Sequence, residues 1–350
     1  MRKGKRKRIK RGALAAIVVL TVILCFVAAL LITNVFIPIK YFSAFVAKRE
    51  DYSHDGVEIT FIDVGFGDCT FISLPDGKNI LIDGGNGDYA NNEKILKFLN
   101  VRGVDRINYL ICTSVKDEHC GGLTELIKYK EVETAYIPYC TNTRVTSSYN
   151  SFVNQLKKRK ISYSYAETGV SVIDGEQGYY MTFLSPISHM SANSEYSGLN
   201  EKANSENIET ASAVIWFEYL GDAAIFTSDV RPAALKRIID DYEQCVSVGE
   251  PYLPCDGMDV RFDKCRVMTA PAHAGKRNTC AEWCDCVQPD YTVISVGRNY
   301  ADYPSKEAIS DVLTYSKALY TFYSGNVTLT LCGGSYTVSE QNQSGDLELG

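Results

Sequence analysis

The sequence predicts an α/β protein, two β-sheets covered by helices, preceded by one membrane-spanning helix. Three observations carry that prediction. Apolar, strand-like runs come first and a mixed strand–helix order follows, and this order recurs in a second half beyond a polar stretch at 187–210. Residues 12–33, GALAAIVVLTVILCFVAALLIT, carry no charge and are long enough to cross a bilayer as a helix. The composition, 45% hydrophobic and 22% charged over 350 residues, is that of a folded globule rather than a disordered chain.

Charge sets the topology. Eight of the 36 Lys and Arg residues fall in residues 1–11, MRKGKRKRIKR, which leaves 28 against 42 acidic residues, a balance of −14 for the remainder. Basic flanks stay in the cytoplasm, so a single-pass type II protein of the cell membrane is expected, with everything after Thr33 outside. A cleaved signal peptide would have a shorter apolar region ending in a small-x-small site, and no good site precedes Lys40. The expected layout is a basic segment at 1–11, an anchor at 12–36, a juxtamembrane stalk at 37–55, one domain at 56–340 and a polar tail at 341–350.

The elements follow in order. VEITFIDV (57–64) and CTFISL (69–74) read as strands around the turn G-F-G-D, and KNILIDGG (78–85) is a third after P-D-G-K. Asn91 or Asn92 caps a helix, EKILKFLNVRG, with Ile95, Leu96 and Leu99 on its apolar face. INYLICTS (107–114) is continuously apolar and suits a buried strand. A helix near 121–130, a short strand AYIPY and a helix at 147–160 complete the first half. In the second half, YYMTFLSP (179–186) is a strand, and SAVIWFEY with AAIFTSD forms a hairpin over L-G-D. Pro232 opens a helix, a favoured first-turn position for proline. CRVMTAP and YTVISVG are further strands, SKEAISDVLTYS is a helix, and the chain ends in hairpins.

Twelve cysteines are many for this length. An oxidising exterior favours disulfides, and the eleven beyond the membrane span are an odd number, so at least one thiol is free. Cys69, Cys112 and Cys332 sit in apolar runs and read as small core residues. Cys255, Cys265, Cys280, Cys284 and Cys286 are the bridge candidates. Cys280, Cys284 and Cys286, with Cys120, also raise a thiolate zinc site, though without the paired C-x2-C spacing. No G-x-S-x-G elbow or P-loop is present, which removes serine-hydrolase and P-loop nucleotidase readings.

Five segments carry chemistry and a resemblance: FIDVGFGDCTFISLPDGKNILIDGG, YLICTSVKDEHCGGL, AAIFTSD, VMTAPAHAG and YTVISVGRNYADYPSKEAI. In that order they resemble the metallo-β-lactamase fold, and within it the extracellular hydrolase domain of ComEC-type DNA-uptake proteins. The resemblance covers roughly residues 57–335 and implies a four-layer αββα sandwich with a two-metal hydrolytic site, most plausibly for a phosphodiester. It also implies where ligands belong, and this chain departs at most of those positions. Ser114 and Lys116 stand at the first two loop ligands, Glu118 at the loop aspartate, Ala272 at one of a histidine pair and Tyr303 at the last histidine. His119, Asp229 and His273 are kept.

The expected metal ligands are therefore Glu118, His119, Asp229 and His273, holding at most one zinc or manganese ion. Lys116, Glu118 and Asp229 are the candidates for a catalytic role, and Asp83, Ser114 and Tyr303 for supporting ones. Lys116 suggests a second arrangement, an ammonium among Asp83, Glu118 and Asp229 that neutralises them without metal. In the resemblance Asp63 and Asp68 support the fold and the site's edge; as a turn flanked by Gly65 and Gly67 they read as loop chemistry. The expected function is a membrane-anchored binding or scaffold protein with two-metal hydrolysis reduced or lost, and the alternative is a hydrolase using one metal or a rearranged site. The acidic ectodomain disfavours general DNA binding.

Overall fold

A computed structural model describes residues 11–36, 39–50, 54–140, 145–174, 178–187, 211–276, 278, 281–297 and 303–342. All but the first residue of the polar stretch at 187–210, and Cys280, lie outside the described residues. The N-terminal helix α1 runs Arg11–Phe36, and its window Gly12–Ala29 has a mean hydropathy of 2.8 with none of it buried by protein. By length and composition it is able to cross a membrane.

Fifteen strands form two sheets, in the orders β15-β14-β1-β2-β3-β4-β5-β6 and β13-β12-β11-β10-β9-β8-β7. In the first, β1 (Val57–Phe61), β2 (Thr70–Ser73) and β3 (Asn79–Ile82) are antiparallel, and β4 (Arg106–Ile111), β5 (Glu131–Ile137) and β6 (Ser162–Tyr165) extend it in parallel. The second repeats the plan. β7 (Ser171–Asp174), β8 (Tyr179–Ser185), β9 (Val214–Tyr219) and β10 (Asp222–Phe226) are antiparallel, and β11 (Cys265–Thr269), β12 (Tyr291–Ile294) and β13 (Lys317–Tyr320) follow in parallel. β14 (Val327–Leu331) and β15 (Tyr336–Glu340) return to the first sheet.

Strand alternation builds the layers. Ile80 and Ile82 enter the layer between the sheets with Ile59, Phe183, Ile215 and Phe217, while Leu81 points to the helices. Each such fully buried side chain contributes roughly 1.5–3 kcal/mol. Helices α3 (Tyr89–Val101), α4 (Asp117–Cys120), α5 (Leu123–Tyr129) and α6 (Ser147–Arg159) cover the first sheet, and Leu96, Leu99, Leu126 and Phe152 are buried under them. α7 (Pro232–Val248), α8 (Ala281–Val287) and α9 (Lys306–Tyr315) cover the second around Trp216, Leu235 and Trp283. The result is the four-layer αββα metallo-β-lactamase sandwich. Parallel crossovers put the carboxyl ends of β3, β4, β10 and β11 at one edge, the general location of ligands in such sheets.

Several expectations need correction. The N-cap position of α3 is Asp88, and Asn92 is instead buried in the helix and donates to the Gly87 carbonyl at 3.0 Å. β13 pairs in parallel with β12 because α9 intervenes, so only β14 and β15 form the closing hairpin. The supposed stalk is part of the folded unit. Tyr41 and Ala44, at the turn into α2 (Phe42–Phe45), are completely buried, and Tyr41 stacks on Tyr89 at 5.3 Å. Asn100 donates to the Ala44 carbonyl at 2.9 Å, and Arg49 pairs with Asp105 at 2.8 Å. Among the described cysteines, Cys265 and Cys284 are buried in the core, Cys255 and Cys286 are half-buried, and Cys332 is exposed rather than buried.

Candidate metal centre

The functional residues sit on the loops that leave the aligned strand ends. Asp83 follows β3, the segment 113–119 follows β4, Asp229 follows β10, His273 follows β11, and Asp68 closes the turn between β1 and β2. Two of these loops cross in near contact. A Cβ on Gly121 would lie 2.3 Å from the Asn86 carbonyl oxygen, and one on Gly122 would lie 2.1 Å from that of Gly84. Only glycine permits that approach. The crossing fixes His119, whose carbonyl accepts from Gly84 N at 2.8 Å.

His119 is fully buried and held from behind. Its Nδ1 lies 2.8 Å from Asp83 Oδ2, and Asp83 also accepts from Thr113 N at 2.7 Å and from the Thr113 hydroxyl at 2.5 Å. That hydroxyl is 2.6 Å from Ser228 Oγ. A carboxylate on Nδ1 sets the tautomer and leaves Nε2 facing the site. Nε2 is 3.2 Å from Asp229 Oδ2 but makes no hydrogen bond. Burial works to lower the pKa of His119, yet the carboxylates of Asp229 and Asp83 override it and hold it well above the usual value. Burial works to raise Asp229, and His119, Lys116 and His273 together pull it well below the carboxylate range. Asp83 keeps its orienting task although Ser114 has replaced the first loop ligand, because His119 has become the ring that it orients.

His273 is held by unusual backbone. Ala272, His273 and Ala274 have φ of 44°, 56° and 55°, three consecutive left-handed residues, and Ser228 nearby has φ 49°. Each non-glycine residue in that region costs roughly 1–2 kcal/mol, and such strain concentrates at functional sites. The ring is buried, 4.7 Å from Phe66 and 5.5 Å from His119 between centroids. Both its nitrogens lack a hydrogen-bond partner, with Nδ1 3.8 Å from Asp68 Oδ1 and Nε2 3.8 Å from Asp229 Oδ1. Tyr303 reaches the site's rim through Phe66, at 5.3 Å between rings.

Lys116 brings a fixed cation to the same place. Its Nζ is 3.0 Å from Asp229 Oδ2 and 3.9 Å from Glu118 Oε1. Asp83 is engaged with Thr113 and His119 instead of this ammonium. Glu118 contributes its backbone more than its carboxylate: its carbonyl accepts from Asp68 N at 3.1 Å, while the side chain points to Lys116 and is 23% exposed. Among the described residues, ligand atoms of Asp68, His119 and His273 lie within 4.8 Å of one another, and Glu118 stands outside that group. In sequence Asp68 is legible as a turn residue and, through the resemblance, as support for the site's edge, not as a ligand. What brings it inward is the left-handed backbone of Gly65 and Gly67.

These residues fit one borderline metal ion. Two buried imidazoles with unpartnered nitrogens and the Asp68 carboxylate are a zinc- or manganese-type donor set, and Asp229 stands on the Nε2 side of both rings. Bonds of 2.0–2.2 Å to a tetrahedral ion imply ligand–ligand separations of about 3.4 Å, and Asp229 stands 3.2 Å from His119 and 3.8 Å from His273. Ser114 Oγ accepts from Lys116 N at 3.4 Å, and the donor group found among the described residues does not include it.

No family profile matches the chain. Over 257 residues it is 24% identical to ComE operon protein 3 of Bacillus subtilis (strain 168); the match takes in 69% of this chain and 28% of that protein, so the chain spans little more than a quarter of that relative's length. Similar solved structures include a metal-dependent hydrolase of the β-lactamase superfamily, at 10% identity and a TM-score of 0.45 over 79% of this chain and 99% of that one. Unliganded yeast PDE1 has 10% identity and a TM-score of 0.45 over 79% and 100%. Zn(2+)-bound PqqB from Methylobacterium extorquens has 11% identity and a TM-score of 0.38 over 75% and 87%. Sequence similarity to ComE operon protein 3 and the pair of helix-flanked sheets make this a ComEC-like chain of metallo-β-lactamase fold.

Proposed function

We propose that this chain is a membrane-anchored ComEC-like protein, its domain outside the cell, in which two-metal hydrolysis is lost and the site serves binding. The observation that carries this is the Lys116 ammonium, 3.0 Å from Asp229 Oδ2. A two-metal hydrolase needs cations on both sides of a shared carboxylate. Here a covalently fixed ammonium takes one side, and it neither polarises a bound water nor exchanges ligands. Basic residues before α1 support the outward orientation. The test is metal content and turnover of the detergent-solubilised full chain after incubation with zinc or manganese. At most one ion per chain and no cleavage of a generic phosphodiester is expected. Two ions per chain, with turnover abolished in Asp229→Ala, would sink the reading.

A second reading rests on His273, whose unpartnered nitrogens are held by strained backbone. It makes the chain a one-metal hydrolase. Asp68, His119, Asp229 and His273 would hold the ion, which supplies Lewis acidity to a phosphoryl or acyl oxygen when bound. Lys116 then positions an anionic substrate, and Asp83 keeps the His119 lone pair directed inward. Metal-dependent turnover at one ion per chain, lost in His273→Ala, would favour it over the first.

A further inference from the structure

The structure assigns a second contact with the membrane: we infer that the outer face of α2, with Tyr89, lies on the lipid surface and pins the domain against the bilayer. The inference rests on the anchored reading of α1. α2 has two faces. Tyr41 and Ala44 are completely buried against the domain, while Phe42 and Val46, one helical turn apart, are 55% and 52% exposed. Tyr89 stacks on Tyr41 and is itself 48% exposed, which enlarges the same apolar surface. Lys40 borders it, with its ammonium 5.8 Å from the Tyr89 ring and its side chain 55% exposed, and Arg49, paired with Asp105, follows on the same segment with its side chain 61% exposed. Aromatic and apolar side chains bordered by Lys match the headgroup region of a bilayer.

Chain continuity selects the occupant. α1 ends at Phe36 and the packed turn begins at Ile39, three peptide units on. Three units span at most about 11 Å, so the bilayer that receives α1 is always within reach of this face. A soluble partner would have to displace a surface held at that short tether. The segment is also rigidly seated: Asn100 bonds Ala44, Tyr89 OH donates to the Lys40 carbonyl at 2.5 Å, and Glu50 N donates to the Val101 carbonyl at 2.9 Å. The face therefore moves with the domain.

Tryptophan quenching tests this in the full chain, reconstituted in phosphatidylcholine–phosphatidylglycerol vesicles. The native Trp216 and Trp283 are both completely buried and give a constant background. Leu20→Trp reports α1, Phe42→Trp and Val46→Trp report the proposed face, and Val248→Trp, at a site 66% exposed on another helix, is the control. Lipid brominated near the chain ends should quench Leu20→Trp. Lipid brominated near the headgroup should quench Phe42→Trp and Val46→Trp by a comparable fraction and leave Val248→Trp unchanged. Quenching at Leu20 without quenching at Phe42 and Val46, or equal quenching at Val248, overturns the inference and leaves the anchor standing. Absence of quenching at Leu20 overturns both.

Discussion

Two lysines near the first sheet show what decides the fate of a buried cation. Lys116 sits at the site's mouth with its side chain 27% exposed, 3.0 Å from the carboxylate of Asp229. Lys130, just ahead of β5, is 2% exposed and donates to two neutral oxygens, Asn100 Oδ1 at 2.6 Å and the Val104 carbonyl at 2.5 Å. Burial lowers the Lys130 pKa to about 8, although Asp105 opposes the shift. One ammonium balances a charge that the fold has already buried; the other is only accommodated. The first belongs to the chemistry of the site and the second to the joint between α3 and β5.

The largest test of that contrast is Asp229→Ala. It removes the carboxylate nearest to Lys116 and to His119 Nε2, leaving Glu118 at 3.9 Å from the ammonium and Asp83 behind the ring, and removing one member of a buried pair costs about 3–5 kcal/mol. The guanidinium unfolding midpoint should fall accordingly, and a loss below about 1 kcal/mol would break the comparison. Lys116→Met is gentler, about 1–3 kcal/mol for a buried acceptor left short of a donor. This variant should also bind zinc more tightly than the parent, because the ammonium no longer competes for Asp229. Zinc at a hundredfold excess over its Kd should restore about 2.7 kcal/mol, read as a rise in Tm.

For Lys130 the expected signal is a slope. Below pH 8 the lysine is protonated in both states, and the folded chain bears the full cost of burying its charge. As pH rises from about 8 towards the ordinary 10.5, the folded lysine releases its proton first, so stability increases through that window. Lys130→Met should flatten the rise in urea titrations, and an unchanged slope would assign it to other groups. The smallest effect is on thiols, where the same desolvation acts with opposite sign. Burial pushes Cys120 up to about 12 and Cys69 well above its usual value. Iodoacetamide at neutral pH should label exposed Cys332 and spare both until the chain unfolds.

Much of the fold is legible because its signals are local. The apolar runs ITF and ILI, the turn P-D-G-K and the proline at the start of α7 each act over a few residues. β6 and β7 escape the reading because SYSY and SVID are short and mostly polar, and their pairing comes from neighbouring strands. In the site, His119, Asp229 and His273 are legible through the resemblance of their segments, which follow β4, β10 and β11. Asp68 is not legible as a ligand, because its approach depends on a glycine-bounded turn folding back across the sheet edge. The role of residues 39–46 is hidden for a similar reason: packing onto α3 and α5 cannot be read from a segment that merely follows a membrane helix.

The crossing at Gly121 and Gly122 separates two kinds of constraint within a single motif. The backbone there tolerates no side chain, whatever the site holds, while Ser114 and Lys116 a few residues earlier bear no such steric limit. Ligand positions are therefore free to drift while the glycines stay fixed. A T-x-x-x-D-E-H-C-G-G loop advertises how two chain segments pass each other; whether a metal accompanies that passage is written only in its polar positions.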